Sequence, residues 1–195
     1  MIKCIIFDLD GTLIHLPIRY EIIRKDLQNL FNTNNEFVPL ISSIVSNAPD
    51  ENTIRKAFDL ICNEELVAVD NFEIFDGAIN LLNQLKSNFS LNLVTLQCRK
   101  ATEKIISKMS VSNLFSYVIT RDESYNRINQ IEKILGLLKL TANEVIMVGN
   151  RLNDISSANK VGCRSILVSK KIQQSDNRVQ IVEQLSDLNE KLFKF

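Results

Sequence analysis

The sequence predicts an α/β domain of the doubly wound type, built on five parallel strands and interrupted by a helical insertion. Five apolar runs of about 4–6 residues are rich in Ile, Val, Leu and Phe, as buried strands are. These runs are Ile2–Phe7, Leu91–Thr95, Tyr117–Thr120, Glu144–Val148 and Arg164–Val168. Helical patterns separate four of them, and strands that alternate with helices form parallel sheets through crossover connections.

Two stretches between these runs carry apolar residues at the i, i+3, i+4, i+7 spacing of one helix face. They comprise Ala78, Leu81, Leu82 and Leu85 in the first and Ile131, Ile134, Leu135 and Leu138 in the second. After a polar, loop-like stretch, Gln173–Asn177, a further apolar pattern predicts a closing helix. Its members are Val179, Val182, Leu185, Leu188 and Leu192.

The segment 14–73 breaks the alternation of strands and helices, because it carries two amphipathic helical patterns and no clear strand. The first pattern comprises Ile18, Ile22, Ile23, Leu27, Leu30 and Phe31, and the second Ile54, Ala57, Phe58, Ile61 and Leu66. Turn-like breaks at 32–35 and 47–50 lie between the two patterns. We therefore expect a core domain of residues 1–13 and 74–195 with an inserted all-helical domain at 14–73.

Composition and charge restrict the possible partners and compartment. The chain has 195 residues, with 23 Lys plus Arg and 23 Asp plus Glu. A zero net charge argues against nucleic acid or a membrane as the main partner, because both favour basic proteins. No apolar stretch reaches the roughly 18 residues of a membrane span, and the apolar N-terminus is too short for a signal peptide. Four widely spaced cysteines suggest neither a zinc site nor a disulfide framework, so we expect reduced thiols in a cytoplasmic protein.

The run Phe7–Leu13 carries the strongest chemical signal. Asp8 and Asp10 lie one residue apart directly after the first predicted strand, and Gly11 lets the chain turn away. Ligands of such folds bind at the carboxyl ends of the strands. Both carboxylates could face one point there, with one attacking as a nucleophile and the other transferring a proton. The alternative is that these residues serve only the geometry of a turn.

The run Asp8-Leu9-Asp10-Gly11-Thr12-Leu13 resembles a motif of the haloacid dehalogenase-like hydrolase superfamily, most of whose members are phosphatases. The resemblance extends over nearly the whole chain and implies a Rossmann-like core. It further implies that Asp8 attacks phosphorus to form an aspartyl-phosphate, while Asp10 protonates the leaving oxygen and later activates water. Because dehalogenases of the superfamily lack the second Asp, Asp10 favours phosphoryl chemistry.

A second matching segment, Leu93-Val94-Thr95, ends a predicted strand just before a helix. The superfamily places Ser or Thr here to hydrogen-bond the phosphate. The resemblance therefore implies phosphate binding by Thr95 together with Leu96 and Gly11, since a hydroxyl and the N–H groups that open a helix form an anion site. The alternative is an ordinary buried threonine at a strand end.

A third matching segment, Val148–Asp154, departs from the superfamily at one position. Asn150 stands where relatives usually have a metal-binding Asp, while Asp154 is retained. The resemblance implies a Mg²⁺ site formed by Asp8, the backbone carbonyl of Asp10, Asn150 and Asp154. An Asn carbonyl oxygen can bind a hard cation, but it brings no charge, so we expect weaker metal binding.

A fourth superfamily feature, a lysine before the helix that precedes this strand, is missing from residues 124–130. Arg127 is the nearest cation and a candidate for phosphate binding, although its planar fork is not equivalent to an ammonium group. The alternative is an ordinary surface arginine. If one negative and one positive charge are both lost, the summed charge of the site is unchanged, and we expect the two departures to compensate.

The inserted segment 14–73 resembles the helical cap of phosphoglycolate phosphatase-like and sugar-phosphate-acting members of the superfamily. A cap excludes water and recognises the substrate. Candidate substrate-contacting residues lie soon after the catalytic loop: His15, Arg19, Tyr20 and Arg24. The alternative for the arginines is a solvated surface position, and for His15 a purely connecting role.

These observations predict Mg²⁺-dependent hydrolysis of a small phosphate monoester, a phosphoglycolate- or sugar-phosphate-like metabolite, by a monomer or homodimer. Two alternatives stay open. Asn150 and the absent lysine favour a catalytically weakened ligand-binding or regulatory module, and a phosphomutase would use the same Asp8 chemistry.

Overall fold

The structure of the chain is a computed structural model that describes residues 1–170, 179–189 and 193. The chain divides into two compact units. One unit, Met1–His15 with Glu73–Phe195, contains the sheets, and the other, Leu16–Phe72, is helical. The helical unit begins two residues after, and ends one residue before, the limits 14–73 that the sequence predicts for the insertion.

The strands and helices are numbered here in chain order. The strands are β1 (Cys4–Phe7), β2 (Ile14–His15), β3 (Glu73–Ile74), β4 (Ser90–Val94), β5 (Phe115–Ile119), β6 (Val145–Gly149), β7 (Arg164–Val168) and β8 (Val179–Val182). The helices are α1 (Tyr20–Phe31), α2 (Leu40–Asn47), α3 (Glu51–Ala68), α4 (Ala78–Lys86), α5 (Arg99–Lys108), α6 (Arg127–Leu138) and α7 (Leu152–Val161).

The main sheet has the strand order β5-β4-β1-β6-β7-β8, and every neighbouring pair is parallel. Strand β1 pairs with β4 on one side and with β6 on the other, and all four of its residues are buried. A strand covered on both faces needs a continuous apolar sequence, which is what Cys4–Phe7 supplies. Because the strand order reverses beside β1, the carboxyl ends of β1, β4 and β6 form the edge at which doubly wound folds bind ligands.

The doubly wound prediction is confirmed, with six strands in the main sheet instead of five. The extra strand, β8, lies where the sequence predicted the closing helix. The helix prediction is therefore wrong for residues 179–188. Apolar residues three positions apart fit one face of a helix. Val179, Ile181 and Val182 are β-branched, however, and they pair with β7 at the edge of the sheet. The predicted loop Gln173–Asn177, and Leu192, lie outside the described residues.

The helical unit consists of α1, α2 and α3, which share a core. The two predicted amphipathic helices correspond to α1 and α3, and α2 was not predicted. The buried members of the core are Ile23, Leu27, Phe37, Ile44, Ala57 and Ile61. At the borders of the insertion, where no strand was predicted, β2 and β3 form a short antiparallel pair.

Within the described parts of the chain, every helix falls short of the length and apolar character needed to cross a membrane.

Helix α6 begins with a side-chain cap at Asn126. The Asn126 Oδ1 accepts hydrogen bonds from the backbone N–H of Ile128 at 2.9 Å and of Asn129 at 3.3 Å. These are two of the N–H groups that a helix cannot satisfy internally. The cap therefore fixes the first turn of α6, whose first residue is the buried Arg127.

We expect Asn126→Ala to lower the free energy of unfolding by about 1 kcal/mol, because it removes the acceptor for both N–H groups. Urea unfolding followed by circular dichroism measures the change. Asn126→Asp, which keeps a capping oxygen, is the matched control and should differ little from the wild type. Equal urea midpoints for the alanine variant and the wild type would show that the cap contributes nothing.

The end of β6 approaches α7 closely at Gly149. A Cβ atom at Gly149 would lie 2.6 Å from both Cβ and Oδ2 of Asp154, a separation that the packing must relieve by moving Asp154. Gly136, in α6, has nothing within 4 Å of the position of an added Cβ. The two glycines therefore form a matched pair for one extra methyl group.

We expect Gly149→Ala to lower the free energy of unfolding by about 1–3 kcal/mol through overpacking against Asp154. Gly136→Ala should raise it by roughly 0.5–1 kcal/mol, because alanine costs less backbone entropy within a helix. Urea unfolding of both variants tests the prediction, and a Gly149→Ala protein as stable as Gly136→Ala would contradict the close approach.

Candidate active site

Asp8 lies directly after the central strand β1, at the carboxyl edge of the sheet. Its backbone N–H donates to the Val148 carbonyl at 2.9 Å, and its side chain is almost fully buried. The carboxylate Oδ1 lies 2.6 Å from Arg127 Nη2, and Oδ2 accepts a hydrogen bond from the Thr12 hydroxyl at 3.4 Å. Each oxygen of Asp8 therefore has its own defined partner.

Arg127 lies between two buried carboxylates. Besides the contact with Asp8, its Nε lies 2.9 Å from Oδ1 of Asp154, which is 1% exposed. Among the described residues, this Nε is close enough to Asp154 for an ion pair, but no acceptor lies at the angle that a hydrogen bond needs. The surface alternative for Arg127 is wrong, because a buried guanidinium bridges the ends of β1 and α7. Its planar fork and permanent charge suit contact with two carboxylates at once.

The expected compensation between the missing lysine and Asn150 is also wrong, because the positive charge is not lost. Arg127, the cation nearest to the missing lysine in the sequence, supplies it. Asn150 is therefore an uncompensated change, and the site carries one negative charge fewer than it would with Asp at that position.

Burial is the main cause that raises the pKa of Asp8 to about 7. The nearby carboxylate of Asp154 acts in the same direction, and Asp10 adds a smaller effect. The guanidinium groups of Arg127 and Arg151 oppose them and favour the ionised form. A cluster of opposing charges around one buried carboxyl group is typical of functional sites.

The turn after β1 positions the second carboxylate. Gly11 has φ +85°, a conformation that suits glycine, and its N–H donates to the Ile14 carbonyl at 2.7 Å. The N–H of this predicted phosphate-binding residue is thus used within the turn in this structure. Asp10 is half-buried and close enough to affect the pKa of Asp8.

Thr12 is a site residue to which the sequence analysis gave no role. Its side chain is fully buried, and its hydroxyl lies 3.4 Å from both Asp8 Oδ2 and Asn150 Oδ1. The one signal available was its place directly after Gly11 in the motif. The structure shows that this hydroxyl lies between the oxygens of two predicted metal ligands.

The predicted metal ligands fit a hard cation. The oxygens of Asp8 and Asn150 lie on either side of one hydroxyl, and a Cβ at Gly11 would collide with the Asn150 side chain. Asp154 Oδ2 accepts a hydrogen bond from the Arg151 N–H at 3.2 Å. Since Arg127 contacts Oδ1 of both aspartates, their Oδ2 atoms and Asn150 Oδ1 are the side-chain oxygens that suit a hard divalent cation, and the Asp10 carbonyl stays the fourth predicted ligand.

Thr95 follows β4, the neighbour of β1, and is fully buried. Its N–H donates to the Ile119 carbonyl at 3.0 Å, and its hydroxyl donates to the Gln97 side-chain carbonyl. Leu96 is half-buried, and its carbonyl accepts a hydrogen bond from the Arg121 guanidinium. These contacts fix the loop between β4 and α5, so that phosphate binding by Thr95 requires its hydroxyl to exchange partners.

The candidate substrate residues lie in different parts of the chain. His15 is exposed in β2. Arg19, Tyr20 and Arg24 belong to the helical unit, where Arg19 forms a two-point ion pair with Glu64 at 2.9 and 3.0 Å. The Arg24 guanidinium carbon lies 5.9 Å from the centroid of the Tyr20 ring. Substrate contact by these four residues stays a prediction.

Comparison with known proteins identifies the family. The profile of the haloacid dehalogenase-like hydrolases matches residues 5–168. A phosphoglycolate phosphatase of Salmonella paratyphi A is 30% identical over 117 residues, which are 58% of this chain and 46% of that relative. Pyrophosphatase PpaX of Oceanobacillus iheyensis is 25% identical over 191 residues, covering 90% of this chain and 87% of the relative.

A solved structure of a haloacid dehalogenase-like hydrolase from Bacteroides fragilis has the same fold. The two structures superpose with a TM-score of 0.73 at 15% identity, covering 96% of this chain and 99% of the other. The match of the family profile spans β1 to β7 and includes both the Asp8 and the Asp154 segments. The chain therefore belongs to the haloacid dehalogenase-like hydrolase family, as its motifs predicted, and is a hydrolase.

Proposed function

We propose that this protein is a Mg²⁺-dependent phosphatase that hydrolyses a small phosphate monoester through an aspartyl-phosphate on Asp8. The observation that carries the proposal is the buried ion pair between Asp8 and Arg127, at the carboxyl end of the central strand. The family membership and the phosphoglycolate phosphatase among the relatives support phosphoryl chemistry.

In the first step, the Asp8 carboxylate attacks phosphorus while the bond from phosphorus to the ester oxygen breaks. Arg127 contacts Oδ1 and the Thr12 hydroxyl contacts Oδ2, so both oxygens of the proposed nucleophile are held in a defined orientation. Asp10, half-buried on the adjacent turn, gives its proton to the leaving oxygen, and the alcohol departs. Division of the reaction into two easier steps is the general advantage of a covalent intermediate.

In the second step, Asp10 accepts a proton from water, and the resulting hydroxide attacks the phosphorus of the aspartyl-phosphate. The bond between Asp8 and phosphorus breaks, which releases orthophosphate and restores the carboxylate. The same residue thus acts first as an acid and then as a base.

The other site residues bind and orient the phosphoryl group. The Thr95 hydroxyl, once it releases the Gln97 side chain, would hydrogen-bond a phosphoryl oxygen. When bound by Asp8, Asp10, Asn150 and Asp154, Mg²⁺ supplies positive charge that favours ionised Asp8 and neutralises the phosphoryl oxygens. Positioning and charge neutralisation provide most of the catalysis of phosphoryl transfer.

We propose that the helical unit acts as the substrate-recognising cap, with His15, Arg19, Tyr20 and Arg24 as candidate contacts. The resemblance of the insertion to caps of phosphoglycolate- and sugar-phosphate-acting members supports this role. The substrate class is then a small phosphorylated metabolite, and a panel of phosphoglycolate, sugar phosphates and pyrophosphate identifies which of them is turned over.

A binding module without turnover is the second candidate, and Asn150 favours it because a neutral ligand weakens the metal site. The two candidates differ in one measurement. A module binds beryllium fluoride, a phosphoryl mimic, at Asp8 but releases no product from any phosphate ester in the panel.

We expect Asp8→Asn to lower the turnover of para-nitrophenyl phosphate by at least about 10⁴-fold, because it removes the nucleophile. Steady-state release of nitrophenol with saturating Mg²⁺ measures the loss. Asp59→Asn, at an exposed position of α3, is the matched control and should keep wild-type activity. Substantial activity in the Asp8 variant would exclude an aspartyl-phosphate.

We expect Asn150→Asp to tighten Mg²⁺ binding by about tenfold or more, since an added carboxylate attracts a divalent cation by roughly 2 kcal/mol at 4 Å even in bulk water. Titration calorimetry with Mg²⁺ alone measures the affinity without any substrate. Asn153→Asp adds the same charge at an exposed position of α7 and should change the affinity much less. Equal affinities in the wild type and the Asn150 variant would show that Asn150 is not a metal ligand.

A further inference from the structure

Gln130, in the first turn of α6, uses its side-chain amide in three hydrogen bonds. The side chain is fully buried, and Oε1 accepts a hydrogen bond from Arg127 Nη1 at 2.8 Å. The amide Nε2 donates to the Thr95 carbonyl and to the Ser124 carbonyl, each at 2.8 Å. One side chain therefore contacts the cation of the site, the end of β4 and the loop before α6.

The chemistry of these partners allows glutamine in one orientation. Arg127 can only donate, and the two backbone carbonyls can only accept. A reversed amide would place a donor against the guanidinium and an acceptor against both carbonyls. A glutamate would keep the contact with Arg127 but would oppose two carbonyl oxygens with its carboxylate, and a methionine would lose all three hydrogen bonds.

Gln130 completes the coordination of the buried guanidinium. Asp8 holds Nη2, Asp154 lies beside Nε, and Gln130 holds Nη1. Three groups, from the turn after β1, from α7 and from α6, thus fix both the position and the plane of Arg127. Without the Gln130 oxygen, a buried N–H would be left unsatisfied, which is costly, and the guanidinium would keep only its two carboxylate contacts.

Gln130 also holds the backbone of Thr95, which is hydrogen-bonded to β5 as well. The Thr95 N–H is held by Ile119 in β5, and its carbonyl is held by Gln130 in α6. The amide therefore joins the predicted phosphate-binding residue to the cation that contacts the nucleophile.

We propose that Gln130 is a positioning residue, which sets the guanidinium of Arg127 and the Thr95 segment in one arrangement for catalysis. The proposal rests on the proposed phosphatase function, because it assigns Gln130 an effect on the reaction at Asp8. Gln130 does not touch the reacting atoms; it acts through Arg127 and through the Thr95 backbone.

The first test is Gln130→Met, which keeps the length of the side chain and removes its hydrogen bonds. We expect kcat/KM for para-nitrophenyl phosphate at saturating Mg²⁺ to fall about 10- to 100-fold. Losses of this size are usual when a residue that orients site residues by hydrogen bonds is replaced. The control is Ile131→Val, which removes one buried methyl group from the same turn of α6 and should keep wild-type kcat/KM. A fall no larger than that of the control would overturn the proposal.

A double-mutant cycle with Arg127→Lys separates positioning from general stability. A lysine cannot reproduce the three-sided contact, so Gln130→Met should have a much smaller effect in the Arg127→Lys protein than in the wild type. Full additivity of the two substitutions would show that Gln130 acts independently of Arg127 and would overturn the proposal.

A second readout needs no turnover. In ¹H–¹⁵N spectra of the arginine side chains, assigned with Arg127→Lys, the buried Arg127 Nη protons should exchange slowly. Gln130→Met should abolish the slow signals of Nη1, which Gln130 holds, while Ile131→Val should retain them. If the wild type hydrolyses no ester, the proposed function fails while these spectra still decide the role of Gln130, and unchanged slow signals in Gln130→Met would overturn it.

Gln130→Glu serves if the methionine variant does not fold. It keeps an acceptor for Arg127, so the slow Arg127 signals should persist, while kcat/KM falls because the Thr95 and Ser124 carbonyls lose their donors. Wild-type kcat/KM in this variant would contradict the link between α6 and Thr95.

Discussion

The site depends on one buried guanidinium between two buried carboxylates. Removing charges from water is expensive, so Arg127 is tolerated in the interior only because Asp8 and Asp154 accompany it. Several features of the fold serve this contact. Asn126 caps the helix on which Arg127 is the first residue, and Gly149 lets Asp154 come close to the end of β6. Loss of Arg127, Asp8 or Asp154 would leave an uncompensated charge in the interior.

The sequence was sufficient to predict the centre of the fold because that region obeys a simple physical rule. Strands β1 and β6 are buried and almost continuously apolar, and each was found by that property. Strand β4 was found from its Leu and Val residues, although a buried Asn92 lies at its centre. Strand β8 was missed because the spacing of Val179 and Val182 also fits a helix. The segment forms a strand because it pairs with β7 at the edge of the sheet. Pairing across a sheet is information that periodicity does not contain.

The site was predicted in part, and what escaped prediction has a common cause. Asp8 and Asp10 were found because local spacing and the motif mark them. Arg127 was predicted as a phosphate-binding candidate, but not as a contact of Asp8. The two residues are 119 positions apart, and the sequence does not show which groups a side chain at the start of α6 contacts. The motif has no lysine at the expected position, so the sequence analysis treated its charge as lost. Arg127, at a nearby position, supplies a positive charge.

The central place of β1 has a consequence for the dynamics of the enzyme. A strand with hydrogen-bonded neighbours on both sides, as β1 has in β4 and β6, belongs to the part of a fold whose opening costs the most free energy. Arg127, on the capped first turn of α6, is restrained by Asp8, Asp154 and Gln130. The carboxylate proposed as the nucleophile is therefore held both by the central strand of the sheet and by a buried cation.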